Sequence, residues 1–199
     1  MTQLGAQMFT VRAFTQTESE LLSTFRKLRA IGYEAVQISA IGAGIPVPAV
    51  AAGLKETGLA CAATHISFDD CKKDLAAVVE KHRAWGCEYV GVGSMPEAYR
   101  ADAAGFARFA REASDVRAWI EKVRGRMDVV HFKDMALDGK SEQVMAEIGQ
   151  GNLNWDGIIA ACRNIGVKWY LVEQDDCRGR DPFESLKISY DFLTSKGVK

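Results

Sequence analysis

Apolar and polar positions alternate along this chain in two rhythms. Short apolar runs are followed by longer stretches in which apolar residues return every third or fourth position, the mark of strands and amphipathic helices in turn. The first run predicts a strand within Gln3 to Thr10. Leu21, Leu22, Phe25, Leu28 and Ile31 form a helical stripe over Ser19 to Ile31, closed by Gly32. A strand at Glu34 to Ser39, a loop at Gly42 to Pro48 and a helix at Val50 to Thr57 follow. Next come a strand at Leu59 to Ile66, a helix at Asp70 to Trp85 and a strand at Tyr89 to Val92. Strands at Met127 to Phe132 and Trp169 to Glu173 bracket a helix at Trp155 to Asn164, capped by Asn154. The last helix runs from Pro182 to Thr194, with proline in its first turn.

The strands read as near-continuous apolar runs, which suits strands buried on both faces of a parallel sheet. The junction of apolar helix end, glycine and strand recurs at Ile31-Gly32-Tyr33, Thr57-Gly58-Leu59, Trp85-Gly86-Cys87 and Ile165-Gly166-Val167. Alternating units of this kind predict a parallel α/β architecture with right-handed crossovers. No G-x-G-x-x-G follows the first strand and no G-x-x-x-x-G-K-[ST] occurs, which disfavours dinucleotide and P-loop readings. Ligands in the remaining α/β folds sit at the C-terminal ends of the strands.

Composition narrows the classes further. With 199 residues, the chain is expected to form one domain over 1–199. Its net charge of −1 argues against binding nucleic acid or acidic membranes through charge. No apolar run is long enough to span a bilayer. Met1 to Phe14 has no basic region leading into an apolar one, so a cytoplasmic location is expected. Five cysteines, an odd number without a C-x-x-C pair, read as reduced thiols.

Polar residues gather at the predicted strand ends. The first strand closes near Gln7, the second carries Gln37 and the third ends at His65. Two others end in His131-Phe132-Lys133-Asp134 and Glu173-Gln174-Asp175-Asp176. Buried parallel strands are apolar, so a His or Glu at such an edge faces a site. His82, in mid-helix, reads as structural. His131 and Glu173 suit a divalent ion (Mn, Mg, Co or Zn), although two ligands alone make a weak site. The remaining positions then fall to water, substrate oxygens or further side chains. Gly149-Gln150-Gly151 precedes a capped helix and suits phosphate binding by backbone amides, or is a bare turn.

At these residues the chain resembles the sugar phosphate isomerase/epimerase family, the xylose-isomerase-like barrels. The resemblance lies in LGAQMFTVR, AIGYEAVQIS, THISF, WGCEYVGVGSMPEAYR, VVHFKDMA and the stretch from EIGQGNLNWDG through VEQDDCRGRDPFES. It implies a β/α barrel of the TIM type and metal-assisted proton abstraction next to a sugar carbonyl. It also implies His131 and Glu173 as metal ligands, with Glu173 one of two carboxylates that shuttle the substrate proton. Lys133 and His65 resemble positions that contact sugar oxygens. The endonucleases built on the same barrel use more histidines and basic loops than this chain has.

The chain departs from the family between its fourth strand and VVHFKDM. Roughly 60 residues are absent relative to a barrel of about 250. That segment holds two of the family's metal ligands and one acid/base carboxylate, so the ligand set is incomplete. Phe106, Phe109, Ala110, Ala113, Val116, Ile120, Val123 and Met127 keep one helical stripe across the junction near 114–115, predicting one helix from Ala103 to Arg124 or two collinear helices kinked at Ser114-Asp115. Six strands remain. They close as a tighter barrel or stay open with two bare edges, which a homodimer would cover. The expected activity is that of a sugar or sugar-phosphate isomerase or epimerase. The alternative is an impaired or inactive derivative that only binds a sugar-like ligand.

Overall fold

A computed structural model describes residues 3–93, 96–99, 128–137, 143–164 and 166–198. Six parallel strands form an open, curled sheet. They are β1 (Gln3–Gln7), β2 (Ala35–Ile38), β3 (Ala60–Ile66), β4 (Val90–Val92), β5 (Val129–Phe132) and, later in the chain, β8 (Trp169–Val172). Their order is β4-β3-β2-β1-β8-β5. Among the described residues β4 and β5 are the edges, so of the two expected outcomes the sheet takes the open one. The predicted fused helix and the junction near 114–115 lie outside the described residues.

Two faces of this sheet bury different side chains, because strand side chains alternate. Leu4, Val36, Cys61, Tyr170 and Val172 join the larger core beneath the helices. Ala35, Ala62, Ala63 and Leu171 form a smaller inner cluster. Gly5 lies in register with both Ala35 and Leu171. A Cβ there would stand 2.6 Å from a buried Leu171 methyl and 3.3 Å from the Ala35 carbonyl oxygen, so a larger residue would force Leu171 to shift. Small residues at this level allow the sheet to curl tightly.

The helices cover the outer face. They are α1 (Glu18–Ile31), α2 (Val47–Thr57), α3 (Phe68–Lys73), α4 (Leu75–Ala84), α5 (Trp155–Asn164) and α6 (Pro182–Ser195). Thr17 and Glu20 form a capping box on α1. The fully buried Tyr33 after α1 donates to the Leu186 carbonyl on α6 at 2.9 Å. That bond joins the first β/α unit to the last.

Several boundaries differ from the sequence reading. The first strand stops at Gln7, where the chain turns into a 3-10 helix over Met8–Phe14. The predicted helix from Asp70 to Trp85 is two helices. Asp74 leaves the helical region (φ −154°, ψ 81°) and its carboxylate accepts from Ala77 N–H, capping α4. A hairpin of β6 (Asp134–Leu137) and β7 (Gln143–Ala146) is an addition to the predicted elements. Among the described residues no helix is long and apolar enough to cross a membrane.

His82 is structural in this fold. Its side chain is buried on α4, with Nδ1 2.6 Å from the Val78 carbonyl and Nε2 2.6 Å from the Thr64 hydroxyl. Burial lowers its pKa, aided by Lys81 and opposed by the Val78 carbonyl. On acidification the unfolded chain takes up a proton that the folded chain resists. The stabilisation is therefore full above the ordinary imidazole value of about 6.5 and is lost as the pH falls below it. Urea denaturation should show wild-type stability falling between about pH 7.5 and about pH 5.5. His82→Gln should be weaker at neutral pH by about 1–3 kcal/mol but should lose less over that interval.

Candidate active site

The period of two along each strand carries the polar residues to one place. Gln7 lies two residues beyond Gly5, Gln37 beyond Ala35, Glu173 beyond Leu171, and His131 beyond Val129. Each therefore projects on the same side as the small inner residues, one layer nearer the C-terminal ends of the strands.

Glu173 is the centre of the layer and is only 5% exposed. Its Oε1 accepts from Gln7 Nε2 at 2.5 Å. Its Oε2 is 2.9 Å from His131 Nδ1 and 2.8 Å from Lys133 Nζ. Burial pushes the Glu173 pKa up, but hydrogen bonds and charge from His131 and Lys133 outweigh it and bring it to about 2. The group is a carboxylate across the physiological range. Lys133 also reaches Asp175 Oδ2 at 2.7 Å. Partial burial disfavours its ammonium, yet Asp175 and Glu173 together raise its pKa.

The second ring of contacts orients the first. Gln37 points its amide Nε2 at the Thr64 carbonyl, 3.5 Å away, and turns its Oε1 to His131 Nε2 at 2.5 Å. His131 Nε2 must therefore carry a proton, which leaves Nδ1 facing the Glu173 carboxylate. Two electron-rich atoms 2.9 Å apart require a cation between them, either a proton on Nδ1 or a metal ion. His65 stands beyond, its ring 5.3 Å from that of His131 and its Nδ1 3.5 Å from the Ser39 hydroxyl. Burial and the neighbouring His131 lower its pKa, so it serves as a neutral hydrogen-bonding group. The strand-end residues singled out by sequence, Gln7, Gln37, His65, His131, Lys133 and Glu173, thus share one cluster.

These residues fit a divalent ion as half a shell. Ligands with bonds of about 2.0–2.2 Å lie about 3 Å apart when adjacent, the spacing of His131 Nδ1 and Glu173 Oε2. The Gln37 contact supplies the usual support for a ligating histidine. Among the described residues no group of three or more His, Cys, Asp or Glu side chains is placed to hold an ion. The other positions of such a shell fall to substrate oxygens and water.

Gly149 and Gly151 lie in a different environment. Their amides donate to Asp134 Oδ2 at 2.9 and 3.2 Å. Trp155 Nε1 joins them at 2.6 Å, while Met135 and Leu153 N–H groups donate to Oδ1. The anion held by this glycine loop is the chain's own carboxylate. A Cβ at Gly151 would collide with it, so the loop closes on Asp134 only with glycine there. By sequence Asp134 reads as a solvated loop acid. Its position directly after the strand-end Lys133, ahead of an amide-rich loop, is the signal that marks it. Glu147, another acid that reads as solvated, is buried against the Ser185 hydroxyl (2.8 Å) and Arg180 Nε (3.2 Å).

Comparison with known proteins adds to this geometry. No family model and no curated sequence matches the chain. Among solved structures, a sugar phosphate isomerase/epimerase from Parabacteroides distasonis is 17% identical, with each chain fully covered and a TM-score of 0.66. A xylose isomerase-like TIM barrel protein from Mycobacterium smegmatis, in complex with magnesium, is 12% identical at a TM-score of 0.64, covering 98% of this chain and 96% of that one. The chain has the xylose isomerase-like barrel fold. The 3-keto-D-glucoside 4-epimerase YcjR of E. coli shares it at 15% identity, 98% and 100% coverage and a TM-score of 0.61. Relative to the eight-stranded TIM barrel, the described part of this barrel is an open half-barrel of six parallel strands.

Asp134 is the test of how the glycine loop is held. Asp134→Ala leaves the N–H groups of Met135, Gly149, Gly151, Leu153 and the Trp155 ring without their acceptor, each worth about 1–3 kcal/mol when unsatisfied. Urea denaturation should show a loss of more than about 3 kcal/mol, with Asp134→Asn losing less because one oxygen remains.

Proposed function

We propose that this chain is a sugar or sugar-phosphate isomerase or epimerase that abstracts a proton next to the substrate carbonyl. The observation that carries the reading is the convergence of Glu173, His131 and Lys133 at the strand ends, on the fold that sugar-processing neighbours share. Glu173 is the base. It is ionised, and the substrate C–H proton passes to its carboxylate as negative charge moves to the carbonyl oxygen. Lys133, whose ammonium lies against the same carboxylate, stands ready to balance that charge. His65 lines the approach and offers a hydrogen bond to a sugar hydroxyl, while the buried Gln37 orients His131 from behind. A divalent ion (Mn, Mg, Co or Zn) held by His131 and Glu173 would polarise the carbonyl and acidify the adjacent C–H. Gln7 fixes Glu173 through Oε1, so the base keeps its aim without solvent.

One observation favours a second reading. Among the described residues the layer holds no second carboxylate of its own beside Glu173: Asp175 is engaged by Lys133, and Glu147 by Arg180 and Ser185. Epimerisation with bases on both faces of the substrate needs such a group. Without it the same pocket binds a sugar-like ligand and turns nothing over.

Deuterium exchange from D2O into ketoses, aldoses and their phosphates, with manganese or with EDTA, separates these outcomes. Exchange in the wild type that falls by about 10²–10⁴ in Glu173→Gln supports the isomerase reading. Ligand-induced thermal stabilisation without exchange supports the binding-only reading. Neither exchange nor stabilisation overturns both.

A further inference from the structure

Apart from the Glu173 cluster, a cleft of about 520 Å3 opens between the β6–β7 hairpin and the loop that follows β8. Met145, Glu147, Gln150, Gln174, Arg178 and Arg180 are among its walls. The volume suits a small molecule or one arm of it. The loop is the one that begins with Glu173, and its Asp175 is the partner of Lys133. Cleft and Glu173 cluster therefore share one structural element and the same end of the sheet.

The two arginines of this cleft differ in their partners. Arg180 is committed, with Nε 3.2 Å from the buried Glu147 and Nη1 3.8 Å from Glu184. Glu147 is further satisfied by the Ser185 hydroxyl. Arg178 is different. It is exposed, and among the described residues no carboxylate lies in ion-pair range of its guanidinium. Arg180 is thus balanced by Glu147 and Glu184, whereas Arg178 is the lining guanidinium with no ion-pair partner among the described residues.

Arg178 is also held in place at some cost. Its backbone has φ of 51°, a left-handed conformation that a non-glycine residue adopts with strain of about 1–2 kcal/mol. The turn sustains it. Arg178 N–H donates to Asp176 Oδ1 at 2.8 Å, Gln174 Nε2 to the Asp176 carbonyl at 3.0 Å, and Arg180 N–H to the Cys177 carbonyl at 2.9 Å. A strained turn thus carries an uncompensated guanidinium to the wall of a polar cleft. A neutral sugar has no need of that charge. The planar fork of arginine matches the paired oxygens of an oxyanion.

We propose that this cleft is an oxyanion subsite, with Arg178 as its recognition residue, and that it takes the phosphate or carboxylate group of the ligand. Its assignment to the substrate rests on the sugar reading above, whereas anion binding itself does not. The glycine loop is not a rival for this role, because its amides are already spent on Asp134.

Calorimetric titration of the full chain with inorganic phosphate, and separately with acetate, at ionic strength matched by chloride tests the site. Saturable binding of either anion is expected, weakened about tenfold or more in Arg178→Ala and partly restored in Arg178→Lys. Phosphate binding alone identifies a phosphoryl group, and acetate binding alone a carboxylate. Arg178 is exposed, so the variant should unfold at the wild-type temperature. Absence of saturable binding of both anions in the wild type, or equal affinity in Arg178→Ala, overturns the subsite. Anion binding that depends on Arg178, in a protein that neither exchanges nor binds any sugar, keeps the subsite and removes its link to a sugar substrate.

Discussion

A carboxylate taken out of water must be surrounded by donors, and Glu173 imposes that demand on half the sheet. Gln7 answers it from β1, while His131 and Lys133 answer from the end of β5. Three neighbouring strands must then end at matching heights, with their polar residues on the concave side. The parallel registers of β1 with β8 and of β8 with β5 deliver this. The buried Glu173 cluster and the alignment of the central strands are one constraint.

That constraint works only because the layer beneath is small and apolar. Gly5, Ala35 and Leu171 pack closely where three strands meet. They bring the strands near enough for one glutamate to touch side chains from both flanks. On the opposite face Phe132 stacks on Tyr170, with ring centroids 4.7 Å apart, and meets Trp155 edge-on at 4.9 Å. Trp155 in turn donates to Asp134. Glu173 and Asp134, both buried, therefore have different duties. Glu173 is ringed by cationic and amide side chains and faces the concave side. Asp134 is ringed by N–H groups and organises the glycine loop. The first arrangement leaves a charged group on the concave side, next to the part-exposed His131 and Lys133. The second spends its charge on architecture.

Much of this is legible in the order of residues alone. The strand-end residues stand out because a polar group at the edge of an apolar run has few structural uses. The glycine after several helices locates the junctions, and the six sheet strands and α1, α2, α5 and α6 lie close to where the pattern puts them. The break at Asp74 is hidden, since the apolar stripe of α3 and α4 continues across it and only backbone geometry reveals the cap. The β6–β7 hairpin is hidden too. Its strands are short, and the Asp138-Gly139 pair between them is a faint signal beside the helical motif that follows. Asp134 reads as a solvated acid because proximity in sequence says nothing about which amides will turn toward it.

The sequence by itself determined the alternation of strand and helix, the end of the sheet at which polar chemistry collects, and the residue types available there. Those follow from periodicity and from the cost of burying polar groups, both local properties of the chain. Only the tertiary structure decided that the sheet is open among the described residues, that Gln37 sets the proton on His131, and that Asp134 rather than an external anion fills the glycine loop. These depend on register and on contacts between residues far apart in sequence, such as the 166 positions that separate Gln7 from Glu173. No one-dimensional pattern encodes which two distant groups meet, because that is set by how the strands curl and pair.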